Sequence, residues 1–236
     1  MKKVFITGAS RGLGLEFSKQ FLAQGYIVLA SCRNPEKATD LLNLQKKYPK
    51  NLLILKLDVT NENERDKVLE EVKKKIENID ILINNAGIIA GDEKTPSVLG
   101  EIYKEDFNKV FLVNSIAPLL VSEKFLPLLE KSSEAKIINI TSLNGSITKR
   151  SVGGKYSYAS SKAALNMITK ILANDLREKG ITTVVIHPGW IKTDMGGEEA
   201  PLDIKEPISQ IINLIKNIEI SETGKFLDRE GREVPW

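Results

Sequence analysis

Val4-Phe5-Ile6-Thr7-Gly8-Ala9-Ser10-Arg11-Gly12-Leu13-Gly14 is the stretch on which the fold of this chain turns. An apolar run ends in three spaced glycines. Leu13, Phe17 and Phe21 then recur at helical spacing until Gly25 stops the pattern. Strand, glycine turn and helix in this order form a site for a phosphate-bearing nucleotide. The glycines let the backbone turn sharply and approach a ligand, while free N–H groups and the helix dipole favour an anion. Alone, the same glycines also suit a purely structural turn, so the rest of the chain has to decide.

Along the rest of the chain, apolar strands alternate with helical patterns. Strands are expected at 26–31, 52–57, 79–83, 135–141 and 182–186, with an edge strand at 225–227. Pro35 opens a helix to about Tyr48, and Thr60 caps a charged helix reaching about Ile76. A polar loop with Pro96 and Gly100 leads to a long helix from about Glu105, which Pro118 and Pro127 should kink or interrupt. Further helices are expected at 158–179 and 204–218, the second after a mobile segment at 192–201. Strands without polar alternation, separated by helices, indicate one doubly wound α/β domain over 1–236 with a mainly parallel sheet. Ligands of such sheets bind beyond the carboxyl ends of the strands. Thr7, Cys32, Asp58, Asn84, Thr141 and His187 mark those ends.

Composition narrows the function. The 236 residues are 42% apolar and 28% charged, with a net charge of +3 that is too small to argue for nucleic acid. No apolar run approaches the roughly 20 residues of a membrane span, and Gly8 and Arg11 break the N-terminal run too early for a signal peptide. The lone Cys32 excludes an internal disulfide and fits a reducing cytoplasm. The lone His187 excludes zinc clusters and two-histidine motifs, so no metal site is expected. A Ser-His-Asp hydrolase would have to use His187; a loop histidine at a strand end is the better reading.

The second strand bears on which nucleotide binds. An acid at its end would hold a ribose 2′-hydroxyl, whereas arginine accommodates a 2′-phosphate. The end reads Ser31-Cys32-Arg33-Asn34. Arg33 and Arg11 are either phosphate ligands or solvated surface charges. Their shared rim position and the missing acid favour NADP(H) over NAD(H). Asp58 either accepts from the adenine amino group or caps the next helix. Asn84, Ala86 and Gly87 suit close packing beside adenosine and, equally well, a merely structural turn.

Chemistry centres on Tyr158-Ala159-Ser160-Ser161-Lys162. Residues four apart share a helix face, so the ammonium should stabilise phenolate and lower the Tyr158 pKa from its usual value of about 10. Tyr158 is then a general acid for reduction and a base for oxidation. Ser142, after the fifth strand, can polarise a carbonyl. The competing reading is a helix surface pair, against which Leu165, Leu172 and Leu176 show the stripe turning inward.

In order along the chain, these pieces resemble the classical short-chain dehydrogenase/reductase family. They are Thr7 to Gly14, Asp58-Val59, Asn84-Asn85-Ala86-Gly87, Asn114, Ser142, Tyr158 with Lys162, and Pro188-Gly189-Trp190 through Thr193-Asp194-Met195. The segment Gly189 to Gly197, Ala200-Pro201-Leu202-Asp203 and the ending Pro235-Trp236 are similar to the C-factor and sniffer-type carbonyl reductase subgroup. The resemblance implies a Rossmann-type domain with a seven-stranded sheet. It implies a cytoplasmic NADP(H)-dependent oxidoreductase acting on a small carbonyl or alcohol, as a homodimer or homotetramer through its two long helices. It implies nucleotide contacts at Gly8, Ser10, Arg11, Gly12, Leu13, Gly14, Cys32, Arg33, Asp58, Val59, Asn85, Ala86 and Gly87. At the nicotinamide end it adds Tyr158, Lys162, Pro188, Gly189, Ile191 and Thr193. Asn114 would kink its helix and hold a water of the proton relay. The C-factor likeness keeps open a signalling protein in which turnover is secondary. A sugar-nucleotide epimerase, which also uses a tyrosine–lysine pair, is disfavoured by the glycine spacing. The substrate pocket is expected from loops at 88–100, 143–155 and 192–201.

Overall fold

A computed structural model describes residues 1–89 and 97–236. Runs of Val, Ile and Leu form seven strands: β1 (Lys3–Thr7), β2 (Ile27–Cys32), β3 (Leu52–Lys56), β4 (Ile81–Asn84), β5 (Lys136–Ile140), β6 (Thr182–His187) and β7 (Phe226–Asp228). They make one sheet in the order β3-β2-β1-β4-β5-β6-β7. Every strand pair is parallel, the β7 edge included. This is the doubly wound α/β architecture expected.

Successive side chains of a strand face opposite ways, and β1 shows the consequence. Val4 and Ile6 pack with Phe17 and Phe21 of α1 (Gly12–Ala23), Leu41 of α2 (Thr39–Lys47) and Ile208, Ile211 and Ile215 of α7 (Lys205–Asn217). Phe5 packs on the other face with Val68 and Val72 of α3 (Glu62–Lys73), Val121 and Phe125 of α5 (Ala117–Leu129) and Leu176 of α6 (Tyr156–Arg177). The Phe5 and Phe125 rings are 4.5 Å apart and fully buried. Burial of each contributes about 1.5–3 kcal/mol.

Several element ends differ from expectation for local reasons. Pro35–Lys37 is a separate 3₁₀ turn, and α2 starts only at Thr39. Asn61, not Thr60, caps α3, accepting from the Glu64 N–H at 3.1 Å. The Thr60 hydroxyl instead donates to Asp58 Oδ1 at 2.7 Å. Helix α6 begins two residues before Tyr158.

The long helix from α4 (Lys104–Phe111) into α5 is interrupted by a π turn, Leu112–Ile116. Pro118 explains it, because an α-helix would direct the missing N–H at the Asn114 carbonyl. Pro127 lies inside α5 without ending it. No uninterrupted apolar run comes near the length of a membrane span, but the helix Lys104–Leu129 is long and apolar enough to cross one by length and composition. Half of that apolar window is buried, with Val121, Phe125, Leu128 and Leu129 in the core. Pro96 and the middle of the expected loop 88–100 lie outside the described residues.

Candidate active site

Strand order reverses between β1 and β4, and the crevice opens there beyond the carboxyl ends of the strands. A cavity of about 940 Å³ occupies this rim. Gly8 turns the chain at the end of β1 with φ +67°; a Cβ there would lie 2.9 Å from the Ala86 backbone. Gly14 does not line the cavity. It allows α1 to press on the turn, since a Cβ would come within 2.3 Å of the Gly8 carbonyl oxygen. Asn85 ties β4 to the same turn, donating from Nδ2 to the Thr7 and Gly8 carbonyls at 2.9 and 3.1 Å. Asn84 faces inward instead, donating to Asn139 Oδ1, Ser122 Oγ and the Pro118 carbonyl, so it is no neighbour of a bound adenosine.

The start of α1 fits a phosphate. It has no side-chain cap and no acid in its first turn, so its leading N–H groups and positive dipole end face the cavity uncompensated. Ser10, Arg11, Gly12, Leu13, Cys32, Arg33, Asp58, Val59, Ala86 and Gly87 continue this wall. Burial pushes the Cys32 thiol up, making it an apolar wall group. Asp58 Oδ1 accepts from the Thr60 N–H and hydroxyl, so it organises its own turn rather than capping α3. Arg11 forms a 3.0 Å ion pair with Asp194 from the loop after β6.

At the other end, Ser142, Tyr158 and Lys162 line the same cavity. Lys162 is 5% exposed and donates to the Ile140 carbonyl at 2.8 Å. Burial lowers its pKa to about 8. Its ammonium lies 5.9 Å from the Tyr158 ring centroid. Contrary to expectation, the Tyr158 pKa is raised, not lowered. Burial dominates, and the Ser142 hydroxyl offsets it only in part.

Asn114 does not line the cavity. It occupies the π turn, accepts from the Ile88 N–H at 2.8 Å, and donates to the Ile88 carbonyl and Ser161 Oγ at 2.8 and 3.1 Å. Pro188, Gly189, Ile191 and Thr193 lie on the cavity wall. The segment after them is tied down: Lys192 N–H donates to the Leu202 carbonyl, and the Gly196 and Gly197 N–H groups to the Thr193 carbonyl.

Asn144 and Arg150 lie in the loop expected at 143–155, but nothing in the sequence signals what either does there. Asn144 donates to Ser142 Oγ from both its backbone N–H and Nδ2, at 3.2 and 3.3 Å. Arg150 donates to Asn144 Oδ1 and to the Gly153 and Gly154 carbonyls. His187 is the last residue of β6 rather than a loop residue. Its Nδ1 accepts from the Leu143 and Gly189 N–H groups at 3.2 and 3.4 Å. Burial pushes its pKa down to about 4, and Asp228 counteracts only partly, so the imidazole is neutral at pH 7.

This fold and rim place the chain in one class: it belongs to the short-chain dehydrogenase family, whose model, described as short chain dehydrogenase, matches residues 2–202. Relatives narrow the class further. Carbonyl reductase Sniffer of D. melanogaster is 34% identical with a TM-score of 0.95, covering 100% of both chains. An NADPH-bound carbonyl reductase from chicken fatty liver is 37% identical with a TM-score of 0.93, covering 100% of this chain and 99% of that one. The C-signal protein of Myxococcus xanthus is 37% identical over 158 residues, 67% of this chain and 93% of that protein. The chain is thus an oxidoreductase of the sniffer/C-factor-like group, carbonyl reductase-like, with a wall suited to a nicotinamide nucleotide.

Proposed function

We propose that this chain is an NADP(H)-dependent carbonyl reductase with Ser142, Tyr158 and Lys162 as its catalytic residues. The observation that carries the proposal is the convergence of these three on the cavity whose far wall is the uncapped start of α1. The nicotinamide, when bound, supplies the hydride. Ser142 donates to the carbonyl oxygen and polarises it. Tyr158 gives that oxygen a proton as it becomes an alkoxide, which is far more basic than phenolate. A raised Tyr158 pKa favours this direction, because it keeps the proton on the phenol at neutral pH. Lys162 is anchored through the Ile140 carbonyl and has donors left to bind the nicotinamide ribose. Asn114 acts through structure, holding Ile88 beside Gly87.

NADP preference rests on Arg33 beyond β2 and on the absence of an acid there. In this reading Arg11 exchanges Asp194 for the 2′-phosphate. Residues 1–236 act as one cytoplasmic domain. Exposed Leu112 and Ile116 of the π turn and Met167 and Ile171 of α6 support a homodimer or homotetramer built on these helices.

The test is oxidation of NADPH and NADH against aldehydes, ketones and quinones. Tyr158→Phe is expected to lower kcat at least about 100-fold with cofactor binding retained. Equal activity in that variant would remove Tyr158 from the mechanism. Tight NADPH binding with no carbonyl reduced across the panel would favour a signalling protein, the reading that the C-signal relative brings.

A further inference from the structure

We infer that the substrate end of the cavity is built for a carbonyl compound that also carries a carboxylate, with Arg150 as its anchor and Lys149 and Lys155 at the mouth. This rests on the carbonyl reductase reading above and specifies its substrate class.

The wall between Ser142 and α6 contributes Lys149, Arg150 and Lys155 to the cavity, and α4 adds Lys109. Only two carboxylates lie among the described residues that line the whole cavity. Asp58 sits after β3, on the nucleotide side, and Asp194 is paired with Arg11. Among the described residues no carboxylate oxygen comes within 4.0 Å of Lys109, Lys149, Arg150 or Lys155. A concave site lined by one sign of charge concentrates ligands of the opposite sign.

Arg150 is placed to act on the reacting end. It is half-buried, and the Asn144 amide bridges it to Ser142: Nδ2 donates to Ser142 Oγ, and Oδ1 accepts from the guanidinium. That bridge keeps Nη1 within about 8 Å of the serine hydroxyl. A molecule with its carbonyl on Ser142 and a carboxylate a ring or a few bonds away therefore reaches both. Bonds to Asn144, Gly153 and Gly154 use three of the five guanidinium donors, leaving two. Pinning the loop explains those three bonds but not the neighbouring lysines. Lys155 adds a second sign. It has φ +53° and is the one non-glycine residue with positive φ among those described. Such strain accumulates where a side chain is needed in place.

The experiment pairs 4-carboxybenzaldehyde with 4-formylbenzamide, using the full chain and NADPH. The amide is the more electron-withdrawing substituent, so intrinsic carbonyl reactivity cannot create a preference for the acid. The expected kcat/KM ratio, acid over amide, is about 10 or more at low salt, shrinking several-fold between about 20 and 500 mM KCl. Arg150→Gln should cut that ratio about ten-fold. Lys149→Gln/Lys155→Gln, whose parent side chains make no hydrogen bond among the described residues, should cut it about three-fold through the field alone. A ratio of one or less in the parent protein, or a ratio that neither variant changes, overturns the inference. Calorimetric titration of the unreactive pair 4-methylbenzoate and 4-methylbenzamide gives a readout independent of turnover. Tighter binding of the benzoate without reduction of either aldehyde would sink the reductase reading and keep the anion site. Equal binding with both aldehydes reduced would do the reverse.

Discussion

Replacing His187 by asparagine should make this protein less sensitive to acid. The neutral imidazole holds two loops through one lone pair, since its Nδ1 accepts from the N–H groups of Leu143 and Gly189. Protonating that nitrogen turns the acceptor into a donor facing two donors. Its folded pKa is about 4 against an ordinary value of 6.5, with burial as the main cause. Between these values the unfolded chain binds more protons than the folded one, so stability falls as pH falls through the window. Integrating from pH 7 to pH 5 gives about 2 kcal/mol from this one group. Asparagine supplies an oxygen acceptor that does not titrate there. Urea unfolding of the untagged proteins at pH 7 and pH 5 should show the parent losing about 2 kcal/mol more than His187→Asn, with carboxylate contributions cancelling in the difference. The chain has one histidine, so a single imidazole NMR signal reports the midpoint directly. A midpoint near 6.5, or equal losses in the two proteins, would show that His187 does not carry this acid sensitivity.

Two other outcomes follow from the cavity. Arg33→Ala should raise KM for NADPH about ten-fold or more and leave KM for NADH nearly unchanged; equal effects on both would remove the 2′-phosphate contact. Lys162 has a pKa of about 8, so its charge is lost above that value. The pH profile of kcat/KM for reduction should fall above about 8, and Lys162→Met should have low activity without that limb. An unchanged limb in Lys162→Met would assign it to another group.

Much of this protein was legible from residue order. Apolar runs separated by helical stripes located all seven strands among the described residues, and Gly8, Gly12 and Gly14 marked the turn between β1 and α1. Tyr158 and Lys162 were found because a four-residue spacing on a helix leaves them on one face whatever else the chain does. Helix ends were less legible, since whether Thr60 or Asn61 caps α3 depends on which oxygen reaches the Glu64 N–H. Asn84 and Asn85 are adjacent and alike in sequence, yet strand alternation sends one into the core and the other to the glycine turn.

What the sequence determined by itself was local: strand and helix periodicity, the glycine turn, and the tyrosine–lysine spacing. Tertiary structure decided the electrostatics. Desolvation depends on everything packed around a group, so only the folded chain raises the Tyr158 pKa and holds Lys162 near 8. Segments far apart in the chain supply the rest. Arg11 meets Asp194 and His187 clasps Leu143, because parallel strands bring all their carboxyl-end loops to one rim.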